Sequence, residues 1–315
     1  MPLNFLKTAL LLAALTAIFI AMGGFVGGEA GLAVAFVVAL VMNVFAYWKS
    51  DTMVLRMHGA SEVDPQSGGQ FYEIVKGLAE RAGLPMPRVY IMQNPQPNAF
   101  ATGRNPSHAA VCASTGLLEM LTPEEVTGVI AHELCHVKNR DTLTMTVAAT
   151  IGGAISMIAN WLQVSALFGH RTGKGRLATF AAMLIAPFAA MLVQMAISRS
   201  REYQADRLGA MLCGNPAWLA SALAKINDAV RRIPNPKADE APATAHLFIV
   251  NPLTGWGLAS LFTTHPSTES RIVELQKLAA EMGVAFDMDA ARRGQVVAAP
   301  TTGQSSGAPP RGTWG

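Results

Sequence analysis

Val129-Ile130-Ala131-His132-Glu133-Leu134-Cys135-His136-Val137 is an apolar run broken only by two histidines and a glutamate, without glycine or proline. Read as a helix, the four-residue step from His132 to His136 is a little over one turn. The two imidazoles therefore share a face and can grip one ion. Glu133 stands beside them, within reach of a water on that ion. Neutral imidazoles suit Zn²⁺, and three protein ligands plus a water make a catalytic site rather than a closed structural one. Zinc brings the pKa of such a water down to about 7 and polarises a carbonyl, while the glutamate takes the proton. Thr122-Pro123-Glu124-Glu125 upstream is a helix start, with an N-cap threonine, proline in the first turn and acids at the positive end of the dipole. Cys135 points in a different helical direction from the histidines and reads as a packed core thiol.

The third ligand has to come from elsewhere. One broad type of His-Glu-x-x-His protease continues with glycine and a third histidine, but Asn139 and Thr142 occupy those positions here. A glutamate on a later helix is the alternative, and Glu202 in Arg201-Glu202-Tyr203-Gln204-Ala205-Asp206 is the candidate. His136 precedes the apolar run that starts at Leu143 by roughly six residues, about 9 Å of helix. Glu202 follows the apolar run that ends at Ile197 by about five residues, or about 8 Å. A helical hairpin through a membrane would return Glu202 to the height of the histidines. Asp206, one turn further, is placed to hold a ligand imidazole by its other ring N–H. The competing reading of Glu202 is a helix-end carboxylate paired with Arg199 or Arg201.

The 315 residues are 51% hydrophobic and 14% charged. A soluble domain carries about 25% charged residues, so the balance points toward lipid. The net charge of +3 is too slight to argue for nucleic acid, and no nucleic-acid-binding motif is present. Cys112, Cys135 and Cys213 are odd in number and widely spaced, which fits a reducing compartment rather than a disulfide framework.

Five regions follow. Residues 1–49 form a transmembrane hairpin, with apolar helices at 3–22 and 32–48 joined by the glycine-rich link 23–31. Lys7 precedes the first helix, and Lys49 and Arg56 follow the second, which puts both ends in the cytoplasm. Residues 50–142 are a cytoplasmic catalytic part. It holds an amphipathic helix at 65–82 (Phe71, Ile74, Val75 and Leu78 on one face), strands at 88–92 and 109–114, a short helix at 117–121 and the zinc helix. Residues 143–198 are a second hydrophobic pair, transmembrane or membrane-inserted; its basic link 170–176 opposes the charge rule if both runs cross. Residues 199–290 complete the catalytic part, with helices at 198–212, 216–233 and 268–282. Residues 291–315, poor in anything to bury, read as a disordered tail. The expected fold is mainly α with a small β-sheet, a zincin-like (gluzincin) catalytic domain plus membrane helices.

His132-Glu133-Leu134-Cys135-His136, Arg201-Glu202-Tyr203-Gln204-Ala205-Asp206, Asn98-Ala99-Phe100-Ala101 and Thr264-His265-Pro266-Ser267 occur in the order found in HtpX-type heat-shock membrane metalloproteases. The chain resembles that family from residue 3 to about residue 285, and more distantly the CaaX prenyl endopeptidases and the mitochondrial Oma peptidase. The resemblance implies His132, His136 and Glu202 as ligands of one Zn²⁺, with Glu133 as general base. It implies an edge strand at Asn98, Ala99, Phe100 and Ala101 that pairs with an extended substrate, a mode of broad specificity. Asn98 also reads as a turn residue after Pro97. His265 and Arg271 resemble family residues near the substrate carbonyl, where a donor stabilises an oxyanion by about 3–4 kcal/mol; the alternative is that they tie down the Pro266 turn. The implied substrates are damaged or misfolded membrane proteins, cut at a cytoplasmic face of the cell (inner) membrane. Prenyl-protein processing and a non-cleaving zinc-dependent scaffold are the rival readings. The first goes with more membrane helices than the four candidates here, and the second has no need of Glu133.

Overall fold

The computed structural model describes residues 2–150, 199–235, 242–251 and 266–292. Helix α1, Pro2–Met57, is apolar and breaks at Gly28, whose φ of 58° belongs to the left-handed region. The chain reverses there, and Asn43 Nδ2 on the second half donates to Thr16 Oγ1 on the first at 2.8 Å and to Leu12 O at 3.3 Å. The expected hairpin link is thus a single break within continuous helix, and the second half runs past residue 48 to Met57. Gly28–Met57 is the one helix among the described residues long and apolar enough to cross a membrane; its most apolar window has a mean hydropathy of 2.2 and is only 11% buried. The expected pair within 143–198 lies outside the described residues beyond position 150, as do residues 293–315.

A four-stranded sheet follows, in the order β1-β2-β4-β3. It comprises β1 (Ala60–Val63), β2 (Arg88–Met92), β3 (Ala99–Gly103) and β4 (Ala109–Ser114). The β2–β4 pair is parallel and the other two antiparallel, with Phe100 opposite Cys112 and Ala101 opposite Val111. β1 carries too short and too polar a stretch, Ala-Ser-Glu-Val, to stand out in the sequence; Gly59 at φ 64° turns the chain into it. Helix α2 (Pro65–Ala82) starts in a capping box at Asp64 and buries Phe71, Val75 and Leu78, the face its periodicity predicts. Helix α3 (Thr115–Met120) leads into α4 (Pro123–Lys138), the His-Glu-x-x-His helix. Residues 142–150 (α5) are helical, and Thr144 Oγ1 lies 2.9 Å from Thr8 Oγ1, which ties α5 to the beginning of α1.

Helices α6 (Arg199–Cys213), α7 (Pro216–Val230), α8 (Thr268–Met282) and α9 (Met288–Arg292) complete the described chain. The core forms where α4 is sandwiched between the sheet and the later helices. Val126, Val129, Ile130 and Leu134 of α4 pack with Val111, Leu219, Leu223 and Leu275. Glycines let the backbones close. A Cβ at Gly128 would stand 2.7 Å from Leu219 N, and one at Gly209 would stand 2.7 Å from His132 N. A second cluster joins Val54 and Leu55, at the foot of α1, to Tyr90, Met92, Phe100 and Phe248. Helix α1 and the sheet therefore share a core.

Candidate metal centre

The start of α4 fixes where its histidines stand. Thr122 Oγ1 accepts from Glu125 N at 3.3 Å, and Glu125 Oε2 accepts from Thr122 N at 2.9 Å. This capping box follows the sequence pattern, but Glu125 does more than cap. It is buried, and it accepts from Ser221 Oγ at 2.6 Å and Lys225 Nζ at 2.7 Å, locking α4 to α7. At the other end Asn139 N–H bonds Cys135 O, Arg140 N–H bonds Val137 O and Asp141 N–H bonds His136 O. Arg140 adopts φ 58°, so the chain folds back at once after the helix.

That reversal returns the Asp141 carboxylate to His136, with Nδ1 to Oδ2 at 3.3 Å, while Arg201 Nη1 lies 3.3 Å from its other oxygen. His132 Nδ1 meets Asp206 Oδ1 at 2.9 Å. Both carboxylates only accept, so each ring donates from Nδ1 and turns Nε2 inward, where its lone pair serves a metal once that nitrogen is unprotonated. Arg271 Nη2 also lies 3.5 Å from His132 Nδ1. Two donors cannot bond each other, so this is a contact and not a hydrogen bond. His132 Nε2 and His136 Nε2 are 3.2 Å apart, and Glu202 oxygens lie 3.5 Å from His136 Nε2 and 3.9 Å from His132 Nε2. The three residues are buried, and one ligand atom from each lies within 4.8 Å of the others. Ligands about 2.0–2.1 Å from a tetrahedral ion sit about 3.3 Å from one another. Two inward Nε2 atoms and a carboxylate at this spacing fit a divalent metal of that kind.

Glu133 lies against the sheet, its Oε2 accepting the Ala101 N–H at 2.8 Å. Burial pushes its carboxyl up to about 8, with Glu202 adding to the rise and His136, Ala101 and Arg271 opposing it. Burial pulls His132 below its usual value more than Asp206 lifts it. For His136 burial also works downward, but Asp141, Glu202 and Glu133 outweigh it and raise the ring to about 9. Asp206 is held below the usual carboxylate range despite burial, because Arg271 and His132 surround it.

Two expectations meet a different arrangement. Arg271 is 1% exposed; Nε and Nη2 donate to the two Asp206 oxygens at 2.8 and 2.6 Å, and Nη1 donates to Ile249 O at 2.8 Å. A buried guanidinium requires such a matching carboxylate, so Arg271 reaches the centre through Asp206 and His132, not by facing a substrate carbonyl. β3 is the expected edge strand, but its edge is covered. Ile249 N–H donates to Ala99 O at 3.2 Å, and Asn98 Nδ2 donates to Val250 O at 3.3 Å. Asn98, Ala99, Phe100 and Ala101 are all buried. His265 falls outside the described residues. Asp141 and the 248–250 segment are absent from the expectations. An acid five residues after the second histidine is a signal for the first; the second has none, since its main-chain bonds are independent of side-chain type.

A mainly helical chain with a small sheet, a His-Glu-x-x-His helix and a glutamate from a later helix defines the gluzincin class of metallopeptidase. The chain belongs to peptidase family M48, whose family model matches residues 65–279. It is also similar to a chain in the crystal structure of S. mikatae Ste24p, at 16% identity and a TM-score of 0.46; the match covers 86% of this chain and 65% of that one.

Proposed function

We propose that this protein is a membrane-anchored zinc endopeptidase that cuts damaged or misfolded membrane proteins at the cytoplasmic side of the cell membrane. The observation that carries the reading is the convergence of His132 Nε2, His136 Nε2 and the Glu202 carboxylate, with Glu133 beside them. Zinc held by these three side chains would supply a Lewis acid and an acidified water for amide hydrolysis. Glu133 takes the proton from the attacking water and hands it to the leaving amine. Its Ala101 hydrogen bond holds the carboxylate against β3 while it does so. Asp206 and Asp141 keep the two rings in the Nδ1–H form, and Arg271 fixes Asp206.

The substrate is an extended segment that pairs with the β3 edge at Asn98, Ala99, Phe100 and Ala101, so 248–250 leaves that edge when substrate binds. His265 remains a candidate donor to the scissile carbonyl. Support for the membrane location comes from Gly28–Met57 and from Lys7, Lys49 and Arg56 at the ends of the hairpin. An active centre near lipid favours loops and ends of membrane proteins over freely diffusing ones.

The test is a zinc assay on detergent-purified protein beside degradation of a misfolded membrane protein. Glu202→Gln should lose zinc and activity together, whereas Glu133→Gln should keep zinc and lose activity. A Glu133→Gln variant that still degrades the substrate would refute the base assignment. Cleavage confined to prenylated peptides would replace the substrate class and leave the chemistry intact.

A further inference from the structure

A cleft of about 370 Å³ lies at the foot of α1, where the exposed apolar face ends, and is unrelated to the metal centre. Trp48, Lys49, Asp51, Met86, Arg88 and Arg104 are among the residues that line it. We propose that it binds the phosphate headgroup of an anionic phospholipid. The inference rests on the reading that the second half of α1 lies in the bilayer.

Three observations point to this ligand. The first is charge. The lining brings three fixed cations against one carboxylate, and that carboxylate, Asp51, is held by Arg88 at 2.7 Å. Among the described residues, neither Lys49 nor Arg104 is paired with a carboxylate. The second is geometry. The Arg104 guanidinium carbon lies over the Trp48 ring, 4.8 Å from its centroid, a cation–π contact that holds the charge at the cleft. A guanidinium fork matches two phosphate oxygens, and a ring contact that already confines the side chain lowers the entropy lost on binding.

The third is location. Val34, Phe36, Val37, Leu40, Val41 and Val44 are exposed on the same helix just before the cleft; Trp48, which lines it, is 53% exposed, and Tyr47 beside it in the chain 37%. Aromatic rings followed by cations are what a helix presents where acyl chains give way to headgroups. Met86, 39% exposed, adds an apolar wall beside the cations. A free anion would be served by the cations alone. A lipid also explains the exposed apolar surface that leads into the cleft.

The experiment uses the full chain in zwitterionic nanodiscs, with three probes: short-chain phosphatidylglycerol, short-chain phosphatidylcholine and inorganic phosphate. Binding is read by native mass spectrometry on wild type, on a Lys49→Gln/Arg104→Gln double variant and on Trp48→Ala. The expected result is a preference for phosphatidylglycerol in wild type that weakens about 25-fold in the double variant, since each cation near a membrane surface contributes about fivefold. Trp48→Ala should weaken it several-fold, with zinc content unchanged in every variant. Equal binding of the two lipids, an unaffected double variant, or binding of inorganic phosphate without the lipid would each overturn the proposal. Alkaline carbonate extraction separates the two levels. Release from membranes overturns the anchoring itself, whereas retention without lipid preference overturns only the cleft.

Discussion

Glu133 and His136 set the behaviour of the metal-free protein. The folded pKa of Glu133, about 8, lies above its ordinary value of 4.5. A group raised in this way contributes fully to stability below its unfolded pKa and loses that contribution as pH rises through the folded one. Metal-stripped Glu133→Gln should therefore match wild type in Tm near pH 4.5, gain on it as pH rises, and hold a constant lead above about pH 8. His136, raised to about 9, binds a proton that the metal must displace. Zinc affinity, measured against a fluorescent chelator, should climb with pH through neutrality. Asp206→Asn or Asp141→Asn should weaken it by about 10- to 100-fold, the usual consequence of losing an imidazole's partner. That His132 and His136 stand together was legible in the sequence, because a four-residue spacing on a helix is a statement about one face. For Asp141 the sequence offers only an acid five residues after His136; that it reaches the ring depends on a left-handed turn at Arg140, a residue type that gives no warning of it.

At the scale of elements, the approach of α6 to α4 decides whether Glu202 meets the histidines. Gly209 sits three residues beyond Asp206, nearly one helical turn, and leaves no room for a Cβ against His132 N. Gly209→Ala should push the helices apart and cost about 1–3 kcal/mol as overpacking, with weaker zinc binding although the residue offers no ligand atom and meets only the His132 backbone. Thermal melts and the same chelator titration would check both effects. Segment 248–250 makes the second prediction. A peptide hydroxamate that pairs with β3 must take Ala99 O from Ile249 N–H, so amide exchange at Ile249 should speed up when the inhibitor binds. Helices α2, α4, α6, α7 and α8 were readable from period and caps to within a few residues. β1 and the covering of β3 were not, because main-chain pairing leaves little trace in side-chain pattern.

Over the whole molecule, anchor and catalytic part are continuous. Val54 and Leu55 belong to α1 yet pack against Met92 and Phe100 in the sheet. A chain beginning at residue 50 should still bind zinc while losing most of α1. One beginning at residue 58 should bind zinc poorly, since removing a buried leucine alone costs about 2–5 kcal/mol. Inductively coupled plasma analysis of the two purified proteins distinguishes them.

What the sequence determined by itself was chemical and local. It marked the helices, the apolar anchor and the donor types of the centre, because each is written in spacing or composition over a few neighbouring residues. Tertiary structure alone decided the partners. It set Asp141 behind His136, enclosed Arg271 with Asp206, and laid 249–250 along the strand expected to be open. Those outcomes depend on which distant segments share a small volume, and a turn at Arg140 or a missing Cβ at Gly209 is enough to change them.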